Sequence, residues 1–392
     1  MKILLTTAGG VVRGIESWPE YGIARELVKK GHEVTVYSSI SVKKVFKNAK
    51  KKENIDGIDV ERFNPVSPAS FFKTVRNDFD VIHMHHLGYL SPISSYACLA
   101  SKIKKTPTVF TVHGIYHDPF VVKDTQDPFS QKINYNVTKS LRSRPWRFPN
   151  WFVHLPLFSS NRITALTEWE KKELSKFDVD GRKIDVVPNG IYTKKIQKVR
   201  NGKAFREKHN LDGPFVLFLG QPIRRKGPEY LIKALPSILK KIPDLTCVFA
   251  GYKSDKHLED LCKRLGLENN IKFLGFLEEE EKIQAMKAAE TFVFPTLYEG
   301  FGIPLIEAMA AGCPIVTTNV AGVPEIVENN KNGLLTRPKD EKDLARNIIK
   351  MLSSSKMRKK MSANNVKKSK KYDWKNVISL YEKCFERAIS QP

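Results

Sequence analysis

The sequence predicts an α/β protein built from two Rossmann-like domains, each with a parallel sheet. Short apolar strands alternate with helical stretches along nearly the whole chain, an order typical of βαβ units. At 392 residues the chain is also too long for a single hydrophobic core. Glycine-bearing loops follow several of the strands, and in open parallel sheets such loops line the ligand crevice.

The first domain opens with a strand at residues 3–5 that leads into a Gly9-Gly10 loop. A helix ending in Lys29-Lys30-Gly31 follows, which makes a βαβ opening without the GxGxxG of a dinucleotide site. A plain tight turn at the two glycines is the alternative. Further strands are predicted at 33–37, 59–63, 81–84, 108–112, 163–166 and 184–187, with helices at 92–102 and from Glu168.

The second domain repeats this order after the polar stretch 194–210, which we interpret as a linker. A helix is predicted from Pro228, and the last helix spans about 374–389. The predicted domains are residues 1–196, 197–372 and a terminal helix at 373–392. Strands of the second domain are predicted at 215–219, 246–250, 271–274, 291–294 and 315–318.

The best delimited βαβ unit is FPTLYEGFGIPLIEAMAAGCP, residues 294–314. Pro304 stands at the first helical position and Gly312 just past the last, the usual asymmetry of helix ends. Because glycines lie at 300 and 302, a ligand can approach the N–H groups of Gly302 and Ile303 at the positive end of the helix dipole. The sequence therefore predicts an anion site at this helix.

Two carboxylates flank the predicted anion site, Glu299 before the helix and Glu307 about one turn inside it. Carboxylates this close to a phosphate do not neutralise it. We therefore interpret them as acceptors for hydroxyl groups, one on a ribose and one on a sugar, a spacing that suits a sugar nucleotide. A capped helix that merely packs on a sheet is the structural alternative.

The motif EGFGIPLIE, with two glutamates separated by seven residues, resembles the donor-site signature of the family 4 retaining glycosyltransferases of group 1 type. The resemblance implies the B-type glycosyltransferase fold, with two Rossmann-like domains facing across a cleft and a last helix that packs back on the first domain. It also implies transfer of a sugar from a nucleoside diphosphate sugar with the anomeric configuration kept.

The resemblance further assigns residue roles. Glu307 would hold the ribose, whereas His113 and Glu299, the candidate catalytic residues, would hold the sugar hydroxyls. His113 ends an apolar strand before Gly114, and a satisfied structural histidine is its alternative. The implied donor contacts also include Gly10, Lys226, Gly275, Phe276, Phe301, Gly302 and Ile303.

The loop GQPIRRKG after the strand at 215–219 offers a second phosphate contact. It is not a Walker A loop, since GK[ST] is absent. Lys226-Gly227 fits the family pattern, but Gln221 stands where an arginine is expected. We suggest that Arg224 or Arg225 supplies the missing charge.

Neither a metal nor another cofactor is expected. His83, His85 and His86 are near neighbours, but successive residues of a strand face opposite sides of the sheet. Two Asp-x-Asp sequences, at 78–80 and 178–180, each precede a strand on the side of the sheet opposite to ligand sites. We therefore predict transfer without a metal ion.

A formal charge of +24 implies an anionic partner, with a lysine-rich solvated surface as the alternative. Residues 128–167 contain no acidic residue and interleave cations with aromatic side chains, which suits an anionic membrane surface and a lipid-phosphate acceptor, although a glycan acceptor stays open. No nucleic-acid partner is expected, because no RNA-binding signature is present.

The five cysteines are odd in number, scattered and without CxxC, which favours a reduced cytoplasmic setting, at the inner face of the membrane if a lipid is the acceptor. Neither a signal peptide nor a membrane-spanning run is expected. Three rival functions remain at this point. They are an epimerase or hydrolase of the same fold, a glycan phosphorylase, and a nucleotide-sugar binder without catalysis.

Overall fold

The computed structural model describes residues 1–390 apart from 45, 87–91, 114–147, 177–178, 201, 222 and 252–254. The chain forms two compact units. One takes the described residues from Met1 to Ile191 together with the C-terminal helix from Trp374, and the other takes Tyr192–Asp373. Each unit is built on a sheet of mostly or wholly parallel strands, so the predicted α/β fold class is confirmed.

The first unit contains an eight-stranded sheet in the order β3-β4-β2-β1-β5-β6-β7-β8. Every pair of neighbours is parallel except β3 and β4, which form an antiparallel edge hairpin that the sequence did not predict. The strands are β1 (Lys2–Thr6), β2 (Glu33–Ser39), β3 (Lys52–Ile55), β4 (Ile58–Phe63), β5 (Val81–His86), β6 (Thr108–Val112), β7 (Arg162–Ala165) and β8 (Ile184–Val186).

Helices cover this sheet because its central strands are apolar on both faces, as in parallel sheets generally. Thr167 caps one of them by accepting a hydrogen bond from the Glu170 N–H, and the Glu170 carboxylate accepts from the Leu166 N–H in return. The helices of this unit are α1 (Pro19–Lys29), α2 (Ala69–Arg76), α3 (Pro92–Lys104), α4 (Phe148–Ser159), α5 (Glu168–Ser175) and, at the C-terminus, Trp374–Ser390.

The second unit contains a six-stranded parallel sheet in the order β11-β10-β9-β12-β13-β14. Four of these strands occupy the predicted residues. The strands are β9 (Phe215–Leu219), β10 (Thr246–Ala250), β11 (Ile271–Gly275), β12 (Thr291–Phe294), β13 (Ile315–Thr318) and the unpredicted β14 (Leu334–Thr336).

The helices of the second unit are α6 (Thr193–Lys198), α7 (Lys203–Lys208), α8 (Pro228–Leu239), α9 (Lys256–Arg264), α10 (Glu279–Ala288), α11 (Ile303–Ala310), α12 (Val323–Ile326), α13 (Glu341–Leu352) and α14 (Ser355–Ser369). The C-terminal helix of the first unit is therefore α15. Pro304, expected at the first helical position, is the second residue of α11.

The stretch 194–210 is not the linker that its polar composition indicated, because it contains α6 and α7. Phe205 of α7 is 1% exposed. The Arg206 guanidinium donates to the carbonyl of Ala288, the last residue of α10, and to the carboxylate of Glu290 just after that helix. Tertiary contacts of two residues therefore hold this segment in the second unit.

The strand order of the second sheet defines where its ligands can bind. The chain runs outward from the central strand β9 to β10 and β11, and then returns to place β12 on the other side of β9. The loops after β9 and β12 consequently leave the sheet side by side in opposite directions. Such a topological switch point is the usual ligand site of an open α/β sheet.

The C-terminal helix α15 packs against α1 and against strands β5, β6 and β7 of the first unit. Its first residue, Trp374, lies with its indole between Gly22 of α1 and Gly190. A Cβ atom at Gly22 would come within 2.2 Å of the indole, and one at Gly190 within 2.3 Å. The two glycines are therefore required by this contact and not by a special backbone conformation.

Side chains considered for other chemistry have structural roles. All five cysteines are buried and unpaired. Asp78 pairs with Lys104 at 2.6 Å, Asp80 accepts from the Lys2 N–H, and Asp180 caps the turn before β8, while Asp178 lies outside the described residues. In the part of the chain that the structure describes, no helix has both the length and the apolar character to cross a bilayer.

We predict that Gly22→Ala destabilises the protein. Alanine in a helix interior normally raises stability by about 0.5–1 kcal/mol over glycine. Here the added methyl group overlaps the Trp374 ring, and overpacking costs about 1–3 kcal/mol, so the net effect has the opposite sign. Thermal and urea unfolding measure it.

Gly181→Ala is the matched control, because a Cβ atom there comes no closer than 3.3 Å to its nearest neighbour, the Ser175 hydroxyl. A Gly22→Ala protein as stable as the wild type would contradict the packing argument.

Candidate functional site

Backbone hydrogen bonds join the two loops at the switch point of the second sheet. The Leu297 N–H donates to the Arg225 carbonyl at 2.8 Å, and the Thr296 hydroxyl donates to the same carbonyl at 3.1 Å. In return, the Arg225 guanidinium donates to the Tyr298 carbonyl at 2.9 Å. The loop after β9 and the loop after β12 are therefore held as one surface.

Lys226 from the first loop and Glu299 from the second form a hydrogen-bonded ion pair on this surface. Each side chain is only 14% exposed. Arg225 lies 3.7 Å from the same carboxylate, and the Lys226 ammonium sits 4.7 Å from the centre of the Phe294 ring. The predicted residues Arg225, Lys226 and Glu299 thus lie together.

Burial and pairing act in opposite directions on these charges. Burial outweighs the attraction of Glu299 and lowers the pKa of Lys226 to about 8. Burial alone would raise the pKa of Glu299, but Lys226, Arg225 and the Phe301 N–H keep that pKa below its ordinary value. The carboxylate is therefore ionised at neutral pH and is balanced by two cations.

Helix α11 begins directly beside this pair. Gly302 precedes it with φ of +89°, and a Cβ atom there would lie 2.9 Å from Leu305 and 3.2 Å from the Cγ of Glu299. Only glycine fits this conformation and this space. The first turn of α11, with the unpaired backbone N–H groups of a helix start, therefore begins next to Glu299.

Glu307, 5% exposed inside α11, pairs with Lys282 of α10 at 2.7 Å. Lys282 also contacts Glu279 at 3.0 Å. Burial raises the pKa of Glu307 despite Lys282, while the two carboxylates raise the pKa of Lys282 against its burial. Sequence reasoning missed Lys282, since the run EEEK around it has the composition of a solvated helix face.

The other predicted donor contacts in this unit differ in exposure. Arg224 lies 3.9 Å from Glu229 of α8, whereas Arg225 lies 3.7 Å from Glu299. The Phe301 ring is buried and packs edge-on against Tyr372, so only its backbone can meet a ligand. Gly275 ends β11 with φ of +72°, and the Phe276 side chain after it is 69% exposed.

In the first unit, Gly10 and its loop follow β1. Gly10 has φ of +91°, and a Cβ atom there would lie 2.5 Å from Ser38. Arg62, fully buried, donates to the Val11 carbonyl at 2.7 Å and pairs with Glu53 at 2.6 Å, which anchors the loop.

Two histidines of β5, His83 and His85, are brought together with His113 after β6. His85 Nδ1 lies 2.8 Å from His113 Nε2, and His85 Nε2 lies 3.3 Å from His83 Nδ1. His83 and His85 are fully buried, and His113 is half-buried. Two residues apart on one strand, His83 and His85 share a face of the sheet.

Among the described residues, one group has metal-ligating atoms close together, namely Glu20, His85 and His113, all within 4.8 Å of one another. The His85 and His113 rings, however, are within 19° of coplanar with centroids 5.1 Å apart. That is the arrangement of two rings whose facing nitrogens point at each other. Two ligands of one ion would instead converge on a point about 2.0 Å from each nitrogen, so the geometry favours a hydrogen bond.

Residues 128–147 of the acid-free segment lie outside the described residues. The described part, residues 148–167, contains α4, which lies against α3, and strand β7.

Comparison with known proteins places these features in context. Residues 20–195 match the model of glycosyltransferase family 4, and residues 200–368 match that of the glycosyl transferases of group 1. An uncharacterised glycosyltransferase of Methanocaldococcus jannaschii is 28% identical over 93% of either chain. A phosphatidyl-myo-inositol mannosyltransferase of Mycobacterium leprae is 25% identical over 80% of this chain and 74% of its own.

Among solved structures, the Anabaena HepE protein in complex with UDP-glucose is similar in fold, with a TM-score of 0.75 and 22% identity over 98% of this chain and 99% of its own.

We predict that Lys226→Met and Glu299→Gln each lower the free energy of unfolding by about 1–3 kcal/mol, because each leaves a buried charged partner less compensated. The double variant should lose less than the sum, since neither member of the pair is then left buried without the other. Urea unfolding of all four proteins measures the coupling.

The exposed pair Lys203 and Glu207, changed in the same way, is the control and should show little coupling. Additive losses at Lys226 and Glu299 would contradict the ion pair.

Proposed function

The chain belongs to the group 1 and family 4 glycosyltransferases, and on that premise we propose that it transfers a sugar from a nucleoside diphosphate sugar with retention of configuration and without a metal ion. The observation that carries the proposal is the buried Lys226 and Glu299 pair at the start of α11, at the switch point of the second sheet. Cations, helix N–H groups and a carboxylate meet there within one surface.

Lys226, Arg225 and the N–H groups of Gly302 and Ile303 hold the diphosphate in this proposal. Negative charge grows on the diphosphate as the bond to the sugar breaks, and fixed cations and N–H groups stabilise it where it appears. Arg225 supplies the charge that Gln221 lacks, since it lies beside Glu299 whereas Arg224 contacts Glu229.

The carboxylates bind hydroxyl groups of the donor. Glu307 accepts from the ribose, and Lys282 stays beside it to balance its charge in the buried site. Glu299 and His113 accept from or donate to the transferred sugar. These roles follow the family resemblance, and the burial of Glu299 and Glu307 supports them, because a desolvated acceptor discriminates strongly between a ligand with a hydroxyl and one without.

Metal independence is supported by the same cations. Lys226 and Arg225 supply positive charge where a metal would otherwise be needed. Both described aspartates of the 78–80 sequence are engaged in structural contacts at the start of β5.

A transfer assay tests the proposal. UDP, GDP and ADP sugars are screened for thermal stabilisation, and the best donor is incubated with lipid and glycan acceptors. We expect an α-linked product from an α-linked donor by NMR, with the rate unchanged in EDTA. Lys226→Met should lower kcat by about a hundredfold or more, as for removal of one group that stabilises a developing anion, whereas the exposed Lys263→Met control should not.

A β-linked product, or activity lost in EDTA and restored by manganese, would contradict retention or metal independence respectively. Nucleotide released without any glycosylated product points to an epimerase or hydrolase.

For the acceptor, we propose a phosphate-bearing lipid in an anionic membrane. The relative in Mycobacterium leprae is named for a phosphatidylinositol acceptor. In this chain, helix α2 packs on α3 and α3 on α4, and none of the three contains an aspartate or glutamate. We call α2, α3 and α4 the acid-free helix group.

This group combines exposed apolar and basic side chains. Phe72, Ile103 and Phe158 are 53%, 62% and 51% exposed, one on each helix. Arg76 and Lys102 are also exposed, and Lys102 donates to the Ser159 carbonyl, which joins the C-terminal ends of α3 and α4. Apolar side chains among cations without acids suit insertion at an anionic headgroup layer.

Sedimentation with vesicles tests the surface. The wild type should sediment with phosphatidylglycerol vesicles at low salt and less so at high salt, because surface charge is screened. The double variant Phe72→Ser and Arg76→Glu should weaken sedimentation. The control is the double variant Leu265→Ser and Arg264→Glu, which changes an exposed basic residue at the end of α9 and the exposed leucine after it. This control should sediment like the wild type. If the protein does not sediment with these vesicles, or sediments equally at low and high salt, a glycan acceptor would be favoured.

A further inference from the structure

A chain of hydrogen bonds runs from His113 into the centre of the first sheet. His113 Nε2 meets His85 Nδ1 at 2.8 Å, and His85 Nε2 meets His83 Nδ1 at 3.3 Å. His83 Nε2 then meets the Thr111 hydroxyl at 2.6 Å, and that hydroxyl meets the hydroxyl of Thr164 at 2.5 Å. Strands β5, β6 and β7 thus contribute to one line of contacts.

All the inner members of this line are out of water. His83, His85, Thr111 and Thr164 are fully buried. Burial lowers the pKa of His83 to about 3 and that of His85 well below its ordinary value. The two inner rings are therefore neutral near pH 7, and each has one N–H and one lone pair.

In a line of hydrogen-bonded neutral imidazole rings, every ring must donate toward the same end of the line. Each hydrogen bond needs one donor and one acceptor, so a ring that donates through one nitrogen accepts at the other. If His83 donates to Thr111 through Nε2, His85 donates to His83 through Nε2, and His113 to His85 through Nε2. If Thr111 donates instead, all three rings have their proton on Nδ1. Mixed tautomers would leave two N–H groups or two lone pairs facing each other.

We propose that His85 and His83 are positioning residues that hold the His113 ring and set its tautomer from inside the sheet. The inference rests on the proposed contact of His113 with the transferred sugar. The tautomer decides whether Nδ1 of His113, the nitrogen that does not meet His85, carries a lone pair or an N–H. Thr111, at the inner end of the line, thereby influences His113, although Thr111 itself does not touch the substrate.

The line also explains the histidines as a set. A lone buried imidazole would have one nitrogen without a partner, which costs free energy. Here both nitrogens of His83 and both of His85 have partners, and the chain of polar groups ends in hydroxyls, which can donate or accept. Such a network fixes ring orientation as well as protonation.

NMR of protein labelled with 15N in the histidine rings tests the tautomers directly. Protonated and unprotonated ring nitrogens resonate far apart, so each neutral ring reports its tautomer. In the full-length wild type at pH 7.5, His83, His85 and His113 should share one tautomer. Opposite tautomers at any two of the three would overturn the proposal.

Thr111→Val tests the control of His113 from the inner end. The valine methyl can face a lone pair of His83 Nε2 but gives an N–H no acceptor, so His83 should adopt the Nδ1–H form. Coupling then predicts the Nδ1–H form at His113 as well. An Nε2–H form or an even mixture at His113 in this variant would overturn the proposal. Thr108→Val, on the same strand with its hydroxyl on Asn161, is the control and should leave His113 as in the wild type.

His85→Phe removes the link, and His85→Asn restores only the contact to His113, because an amide can replace Nδ1 but not Nε2. With UDP-glucose hydrolysis as the probe, His85→Phe should lower kcat by roughly three- to tenfold, the effect of one hydrogen bond, with KM little changed. His85→Asn should recover part of that loss, and the control His32→Gln, which contacts Glu382, should lose none.

A change in KM with kcat unaltered in His85→Phe, or no recovery of kcat in His85→Asn, would indicate that His85 acts only through packing and would overturn the proposal. If neither the wild type nor any variant hydrolyses UDP-glucose, that donor is excluded, while the NMR result still decides whether the three histidines share a tautomer. Unfolding curves identify variants that lose the fold.

Discussion

The second unit depends on burying a charge pair at the point where its sheet reverses direction. Lys226 and Glu299 come from loops 73 residues apart that only the strand order brings side by side. Burying either charge alone would cost several kcal/mol, so each loop is stable in its observed form only because the other is present. The hydrogen bonds of Arg225 with the backbone of Leu297 and Tyr298 also join these two loops. Gly302 then places the start of α11 against the Glu299 side chain. One electrostatic requirement thus fixes two loops and a helix terminus.

The parts of this arrangement that sequence could predict are those with a local cause. Strands β9, β10, β12 and β13 were predicted at their observed residues because a buried parallel strand is a continuous apolar run bounded by polar or glycine residues. Gly302 and Pro304 predict the start of α11 for local reasons as well, because these residue types are favoured at helix N-termini.

Other features have causes far away in sequence. Nothing near residues 203–208 indicates a helix that is held by Phe205 in the core and by Arg206 on Ala288 and Glu290. Lys282 looks like a solvated lysine until α10 is packed beside Glu307. Strand geometry was used only to separate the neighbouring histidines of β5. The link from His83 and His85 to His113 needs the β5 to β6 register, which pairs His85 with Thr111. Composition likewise made residues 194–210 a linker, because composition ignores partners.

The two units handle buried polar groups in different ways, and the difference suits the two ends of a sugar nucleotide. Near α11 the buried groups are ions, and pKa values move because burial and Coulomb attraction compete. His83 and His85 of β5 are buried imidazoles. Burial, with a smaller contribution from the other histidines, lowers the pKa of both. A diphosphate is an anion whose charge grows during transfer, so fixed cations stabilise its transition state. Sugar hydroxyls are neutral, and a neutral ring with a defined donor or acceptor can discriminate among them without the desolvation cost of a second ion. Fixed charges beside α11 and neutral rings on β5 therefore agree with the roles proposed above for the diphosphate and for the sugar hydroxyls.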